Sequence, residues 1–292
     1  MRIASLDPAD ARIEPLLRAA CAFDRAAEVA AEKLFAPGPH HTPRALGAYV
    51  DDDLAGLAAV SGNRIRVLAV APPLRGRGIG GALLAACEDD ARARGVTALR
   101  TLDEPGNYLA PGIDTRNVET IDWLARRGWA RGDARLDVLV AVRDNSLVSA
   151  DRAADAAAAA AARGYEVRRA DPSERDALCA AITADFGGAW PFEVARALAS
   201  PSGVHVAVRG GTYCAFAAHD GNNRGLGWFG PTGTLPAHRG QKLGEALLLA
   251  CLVDVAAEHE YCEVAWIGPR PFYEKVAGIA ADRTFVLLTK SL

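Results

Sequence analysis

One feature limits the fold more than any other: an internal repeat of domain size. An apolar strand, a Gly/Arg-rich loop and an apolar helix follow one another twice. The loop reads Arg75-Gly76-Arg77-Gly78-Ile79-Gly80 in the first copy and Arg239-Gly240-Gln241-Lys242-Leu243-Gly244 in the second. Arg75 aligns with Arg239 and Gly80 with Gly244, an offset of 164 in both cases (239 − 75, 244 − 80). Solenoid units recur at about 20–50 residues, so a period of this size predicts a duplicated domain. Length agrees, because 292 residues at roughly 150 per domain make two domains. An alanine-rich stretch at 151–164 lacks a stripe of large apolar residues, although its propensity favours helix. The sequence therefore predicts a first domain over 1–147, a linker over 148–163 and a second domain over 164–292.

Each half reads as a mixed, largely antiparallel sheet with helices on its faces, an α/β architecture. In the first half strands are expected near 1–5, 46–50, 54–60, 65–70, 98–102 and 135–142, and helices in 11–35, 78–94 and 118–127. The second half repeats the order. Its strands are expected at 165–169, 204–208, 213–218, 225–229, 261–266 and 284–288, and its helices at 173–186, 192–198, 243–257 and 272–276.

Composition excludes several classes. The net charge is −3, without the basic surplus that nucleic-acid binding requires. No run approaches the roughly 18–20 apolar residues of a membrane span. The first residues, MRIASLDPAD, have no charged segment followed by an apolar one, so no signal peptide is read and a cytoplasmic location is expected. The six cysteines, Cys21, Cys87, Cys179, Cys214, Cys251 and Cys262, form no CxxC pair and no metal-ligand spacing. They read as reduced, partly buried thiols, with neither a disulfide framework nor a metal site.

The repeated loop carries the chemistry. It follows a strand and opens a helix, where glycines admit an anion close to the backbone and the helix amides and dipole favour negative charge. Arg75 and Arg77 can add charge-assisted contacts. Neither the dinucleotide fingerprint nor the Walker loop fits the spacing. The segment instead resembles the cofactor motif of the GCN5-related N-acetyltransferases (GNAT), (R/Q)-x-x-G-x-(G/A), with Arg75, Gly78 and Gly80 in its three places. The run Val67–Val70 before it is similar to that family's fourth strand. The stretch from Asn117 to Trp129, and Phe272-Tyr273-Glu274-Lys275 with Gly278, resemble its later helix region.

This resemblance implies two tandem GNAT domains, a sheet whose fourth and fifth strands splay apart, and acetyl-CoA as cofactor. Leu68, Ala69 and Val70 would partner the pantetheine arm. Arg75, Gly76, Arg77, Gly78, Ile79, Gly80 and Gly81 would hold the pyrophosphate, and Asn117 would touch the arm. In the second copy the counterparts are Arg239, Gly240, Gln241, Lys242 and Gly244, with Lys242 where the central glycine is expected. That lysine would either crowd the phosphates or supply a cation.

Acetyl transfer needs a neutral amine, a group to take its proton and an acid for the departing thiolate. Tyr273 occupies the family's acid position, with packing on the sheet as the competing reading; the first half has Leu124 there. Asp103 and Glu104 end the fifth strand of the first half and Glu263 lies on that of the second, as candidate bases, with His219 and Asp220 at the end of its third strand as further ones. Tyr108, Trp190 and Trp266 lie in variable segments suited to an acceptor. The function implied is an N-acetyltransferase moving acetyl from acetyl-CoA to a primary amine of a small molecule, an amino sugar among the options, by a monomer or homodimer without nucleic acid or membrane. Lys242 and the missing first-half acid motivate the alternative of an acetyl-CoA-binding regulatory pseudoenzyme. A mycothiol-synthase-like enzyme and a protein acetyltransferase are lesser alternatives.

Overall fold

The computed structural model describes residues 1–199 and 203–292. The elements in order are β1 (Arg2–Ser5), α1 (Ile13–Ala20), α2 (Ala30–Leu34), β2 (Arg44–Val50), β3 (Asp53–Ser61), β4 (Arg64–Val70), α3 (Ile79–Ala93), β5 (Ala98–Thr101), β6 (Ile113–Asp114), α4 (Val118–Ala125), β7 (Ala130–Ala141), α5 (Ala150–Ala161), β8 (Glu166–Arg169), α6 (Arg175–Phe186), α7 (Trp190–Ala199), β9 (Val204–Arg209), β10 (Thr212–His219), β11 (Trp228–Thr234), α8 (Leu243–Ala256), β12 (Tyr261–Val264), α9 (Arg270–Ala277) and β13 (Ala281–Ser291). Two compact units result. Unit 1 is Met1–Arg135 with Thr284–Leu292, and unit 2 is Leu136–Arg283.

In unit 1, β1 to β4 pair antiparallel in sequence order and β4 then pairs parallel with β5. The next strand is the end of the chain: Thr289 and Ser291 of β13 lie opposite Arg100 and Ala98. The short β6, not expected from sequence, pairs with Phe285 and Val286. β3 is buried along nearly its whole length, as a central strand covered on both faces must be. Helix α3 covers one face, burying Ile79, Leu83, Leu84, Cys87 and Ala91 at the spacing of one helical stripe.

Unit 2 repeats the plan. β8, β9, β10 and β11 are antiparallel, β11 pairs parallel with β12, and residues 138–141 of β7 close the sheet beside β12. Alternation sorts its two faces. Ala207, Cys214 and Ala217 face α8, whereas Val206, Val208, Phe216 and Ala218 pack with α6 and α7. The predicted strand 225–229 is displaced: Gly225 and Gly227 take left-handed φ of 77° and 69°, which breaks an extended chain, so β11 begins at Trp228.

The alanine-rich stretch is a packed helix and belongs to unit 2. Ser149 caps it, its hydroxyl accepting the Arg152 amide at 3.2 Å. Ala153, Ala156 and Ala160, spaced three and four apart, join the core beneath α8. Small side chains let the two helices approach, and α8 is apolar on most of its circumference, Glu245 and Asp254 apart, because α5 covers its outer side. A cut after residue 147 therefore falls inside unit 2, and each unit takes one strand from the other half of the sequence.

Candidate functional site

The two loops adopt one backbone. Gly76 and Gly240 both have φ of 77°, and the residue before each helix is left-handed, Gly78 at 83° and Lys242 at 55°. A left-handed lysine costs on the order of 1 kcal/mol against glycine, so the second loop keeps its shape in spite of its residue. A Cβ on Gly76, Gly78 or Gly240 would meet nothing within 4 Å. The first-turn amides of α3 and α8 thus face open space, the geometry of an anion cradle. Leu68 and Val70 are half-buried and Ala69 is buried beside the loop. Ile79 is in the core, while Arg77 and Gly81 lie at or near the surface.

The motif arginines act on the protein itself. Arg75 Nε donates to Val70 O at 3.3 Å, and Arg239 Nε donates to Thr234 O at 3.3 Å. Each ties its loop to the last carbonyl of the preceding strand. Arg75 also donates to Ala20 O at 3.0 Å, at the end of α1. In unit 2 a residue that sequence reasoning passes over does similar service: Arg163 donates to Gln241 O at 2.8 Å.

Beyond each loop the sheet opens. Pairing of β4 with β5 ends at Ile65–Thr101, and pairing of β11 with β12 ends at Phe229–Val264. Just past these points Leu102 and Trp266 are left-handed, with φ of 60° and 47°; they are again 164 apart (266 − 102). A bulge lies beside each opening. Arg66 is the extra residue between Ile65 and Val67, and Gly230-Pro231 stand opposite Ala218 alone.

The bulges differ in what fills them. Arg66 is fully buried and ion-paired with Glu104, and its Nη1 donates to Ala36 O at 2.6 Å. Ser61 Oγ donates to Glu104 at 2.9 Å. Lys33, also fully buried, donates to Glu32 at 2.8 Å and to Asn107 at 3.0 Å. A Cβ on Gly38 would collide with the Glu104 carboxylate. Unit 1 is thus plugged at its bulge by a polar cluster, whereas a Cβ on Gly230 in unit 2 would meet nothing within 4 Å.

The candidate bases separate accordingly. Asp103 is buried and bound by Arg100, with Arg64 Nε at 3.4 Å; it and Glu104 are charge partners of arginines. His219 contacts Asp220 at 3.1 Å and Asp254 at 3.3 Å. Burial works to lower its pKa, but the two hydrogen-bonded carboxylates outweigh that and hold it at about 9, so His219 is a cation near neutral pH. Glu263 is ion-paired with Arg283 at 2.5 Å. It faces away from α8, since its neighbours Cys262 and Val264 are in the core under that helix. The structure adds Asp137, fully buried in β7, which accepts the Trp266 amide at 2.6 Å.

Tyr273 is 6% exposed and joins the core with Val276 and Ala277; burial raises its pKa to about 12, so it keeps its proton. Its neighbour Phe272 lies 3.7 Å from a Cβ placed on Gly244, just as Trp123 lies 3.5 Å from one on Gly80. Leu124 and Tyr273 therefore follow equivalent aromatic residues that touch equivalent helices. Asn117 precedes α4, half-buried, its carbonyl accepting the Ile121 amide at 3.1 Å. Tyr108 is buried after β5. Trp190 stacks on Phe186 at 5.0 Å between ring centres, and Trp266 is 39% exposed. Among the described residues no group of His, Cys, Asp and Glu is arranged to hold a metal, and no helix is long and apolar enough to cross a membrane.

Comparison with known proteins points the same way. The pattern of the family described as Acetyltransferase (GNAT) family matches residues 14–110. A tandem GNAT protein from the clavulanic acid biosynthesis pathway is 19% identical, with a TM-score of 0.70 over 99% of this chain and 98% of its own. A GCN5-related N-acetyltransferase from Sphaerobacter thermophilus is 17% identical, with a TM-score of 0.69 over 99% and 95%. The GCN5-related glucosamine N-acetyltransferase region of a fungal multi-domain GH3 beta-N-acetylglucosaminidase is 15% identical, with a TM-score of 0.78 over 99% of this chain. The chain spans only 38% of that fungal protein's length. At these identities the likeness is one of fold. No curated protein matches the sequence.

Proposed function

We propose, for a chain whose residues 14–110 match the pattern of the GNAT acetyltransferase family and whose fold is like that of a tandem GNAT protein, that it moves acetyl from acetyl-CoA to a primary amine of a small molecule, with the transfer in unit 2. The observation that carries this reading is the contrast at the bulge, where unit 2 has the open Gly230 and unit 1 the buried Arg66. The residues present fit the cofactor. Each unit sets an amide cradle at the mouth of a splay, and unit 2 adds Lys242 as a cation at its rim. Bound there, acetyl-CoA supplies an activated acetyl thioester.

The chain's own residues do the rest. The α8 amides fix the pyrophosphate end, and the splayed edge of β11 offers backbone partners to the arm. Glu263 takes the proton leaving the amine nitrogen as the new C–N bond forms. Tyr273, still protonated near neutral pH, returns a proton to the thiolate as the C–S bond breaks. Unit 1 holds acetyl-CoA without passing it on, which retains the regulatory reading for that half alone. Among acceptors, amino sugars are first to test, because the fungal neighbour is described as a glucosamine N-acetyltransferase region.

Calorimetry and turnover test the assignment. Two molecules of acetyl-CoA should bind per wild-type chain. Gly78→Glu places a carboxylate in the first cradle without a clash, since that position is open, and should remove one of them while turnover on an amine panel persists. Loss of all turnover in that variant would move the chemistry to unit 1. Tyr273→Phe should lower kcat with little change in KM, at least about tenfold for a lost general acid; equal kcat in variant and wild type removes Tyr273 from the mechanism.

A further inference from the structure

Asp137 stands in the apolar second half of β7, flanked by Leu136 and Val138, and is fully buried. Val138 and Val140 face the core under α8, so Asp137 and Leu139 face the other way. Leu139 lies opposite Glu263. Asp137 and Glu263 therefore share a face across two paired strands, beside the splay.

Their hydrogen bonds are asymmetric. Asp137 Oδ1 accepts the Trp266 amide at 2.6 Å. Among the described residues no donor reaches Oδ2, and its acidic neighbour is Glu263, which has Arg283 at 2.5 Å. Two carboxyl groups thus meet in a buried setting, and Arg283 acts on both. A second buried carboxylate with an unmet oxygen is costly, and a proton on Oδ2 removes both the charge and the unmet oxygen.

We propose that Asp137 and Glu263 share one proton, and that Asp137 is the positioning residue of the unit 2 transfer site, donating from Oδ2 to Glu263 while Oδ1 holds the Trp266 amide. The inference rests on the assignment of Glu263 as the proton acceptor. Its consequence is that Glu263 stays a carboxylate in one fixed orientation. The same side chain helps to open the splay, because the amide that follows β12 and its turn is bound to β7 and not to β11. Burial first, and then the charge of Glu263, push the Asp137 carboxyl well above its ordinary range. The Trp266 amide and Arg283 pull the other way without prevailing.

Asparagine reproduces the protonated form, with an amide donor in place of the hydroxyl and an oxygen for Trp266. Asp137→Asn should therefore melt at or above wild type, and Asp137→Ala well below it. The sign follows from linkage. The native state holds this proton more tightly than the unfolded chain, so wild type loses stability as pH rises from 3.8 through the folded pKa, and the Asp137→Asn variant does not. The melting advantage of Asp137→Asn should grow from pH 5 to pH 9. Carbon NMR of aspartate carboxyls should show one group still protonated at neutral pH, absent in Asp137→Asn and titrating at lower pH in Glu263→Gln, where burial still raises it but the neighbouring charge is gone. These readings need no acceptor and stand apart from the catalytic assignment. If no carboxyl stays protonated, or Asp137→Asn melts as low as Asp137→Ala, proton sharing is overturned. On an accepted amine, Asp137→Asn should keep kcat, and Asp137→Ala should lose about tenfold or more through misplacement of Glu263. Equal kcat in both variants overturns the positioning role.

Discussion

Divided around α5, into residues 1–147 and 164–292, the chain should yield two fragments that do not fold alone. The first fragment keeps β1 to β7 but lacks the strand beside β5, and with it Leu288, which is fully buried in the unit 1 core. The second lacks residues 136–141, hence Val138 and Val140, both fully buried against α8 and its neighbours. Burying a Val or Leu side chain contributes about 1.5–3 kcal/mol. Two such losses, together with an uncovered central strand edge, approach the ~5–15 kcal/mol that holds a domain together. Each fragment should be insoluble or melt without a cooperative transition, and co-expression should recover a folded pair. Two sharp, independent melting transitions from the separate fragments would show that neither unit needs the distant strand. A chain severed between residues 141 and 150 should behave in the same way, because the position of the cut matters less than the loss of the exchanged strands.

The second large effect lies at the plugged bulge. Arg66 is fully buried, and Glu104 is its anionic partner. Removing one member of a buried pair leaves an uncompensated charge and costs about 3–5 kcal/mol. Glu104→Gln should therefore lower the melting temperature by roughly 10 °C or more, at ~2–4 °C per kcal/mol for a protein of this size. Replacing both residues with leucine should recover much of that loss, since apolar substitutes of similar volume for a buried pair are often neutral. A double variant as unstable as the single one would mean that Ser61, Lys33 and Asn107 depend on the pair for their own hydrogen bonds.

The loops and the duplication are legible in the sequence because they are local or periodic. Glycines at fixed offsets before an apolar helix mark a cradle, and a 164-residue register carries over unchanged to the left-handed turns after β5 and β12. The unit boundaries are not legible. Nothing in the sequence of β7 or β13 states which sheet it joins, because pairing partners are long-range. The alanine helix reads as a linker because its core stripe consists of methyl groups, too small to register as amphipathic. Arg66 and Asp137 do leave a trace. Each is a charged residue within an apolar run, 65–70 for Arg66 and 136–142 for Asp137, a position that folding tolerates only when the charge is paired or neutralised. Glu263 is visible near the end of its strand, but its proximity to Asp137 is hidden, because 126 residues separate them (263 − 137).

The exchanged strands also impose an order on synthesis. Residues 1–135 leave the ribosome first, yet the strand that completes their sheet is 284–291, and residues 136–283 must be made in between. At ~5–20 residues per second this delay is on the order of ten seconds. For that interval β5 has an unpaired edge on the nascent chain, where it can recruit a wrong strand. Unit 2, by contrast, receives its borrowed strand before any of its own. A nascent chain stalled near residue 200 should therefore need a chaperone that shields an open sheet edge, and emergence of residues 284–291 is the event that ends the need.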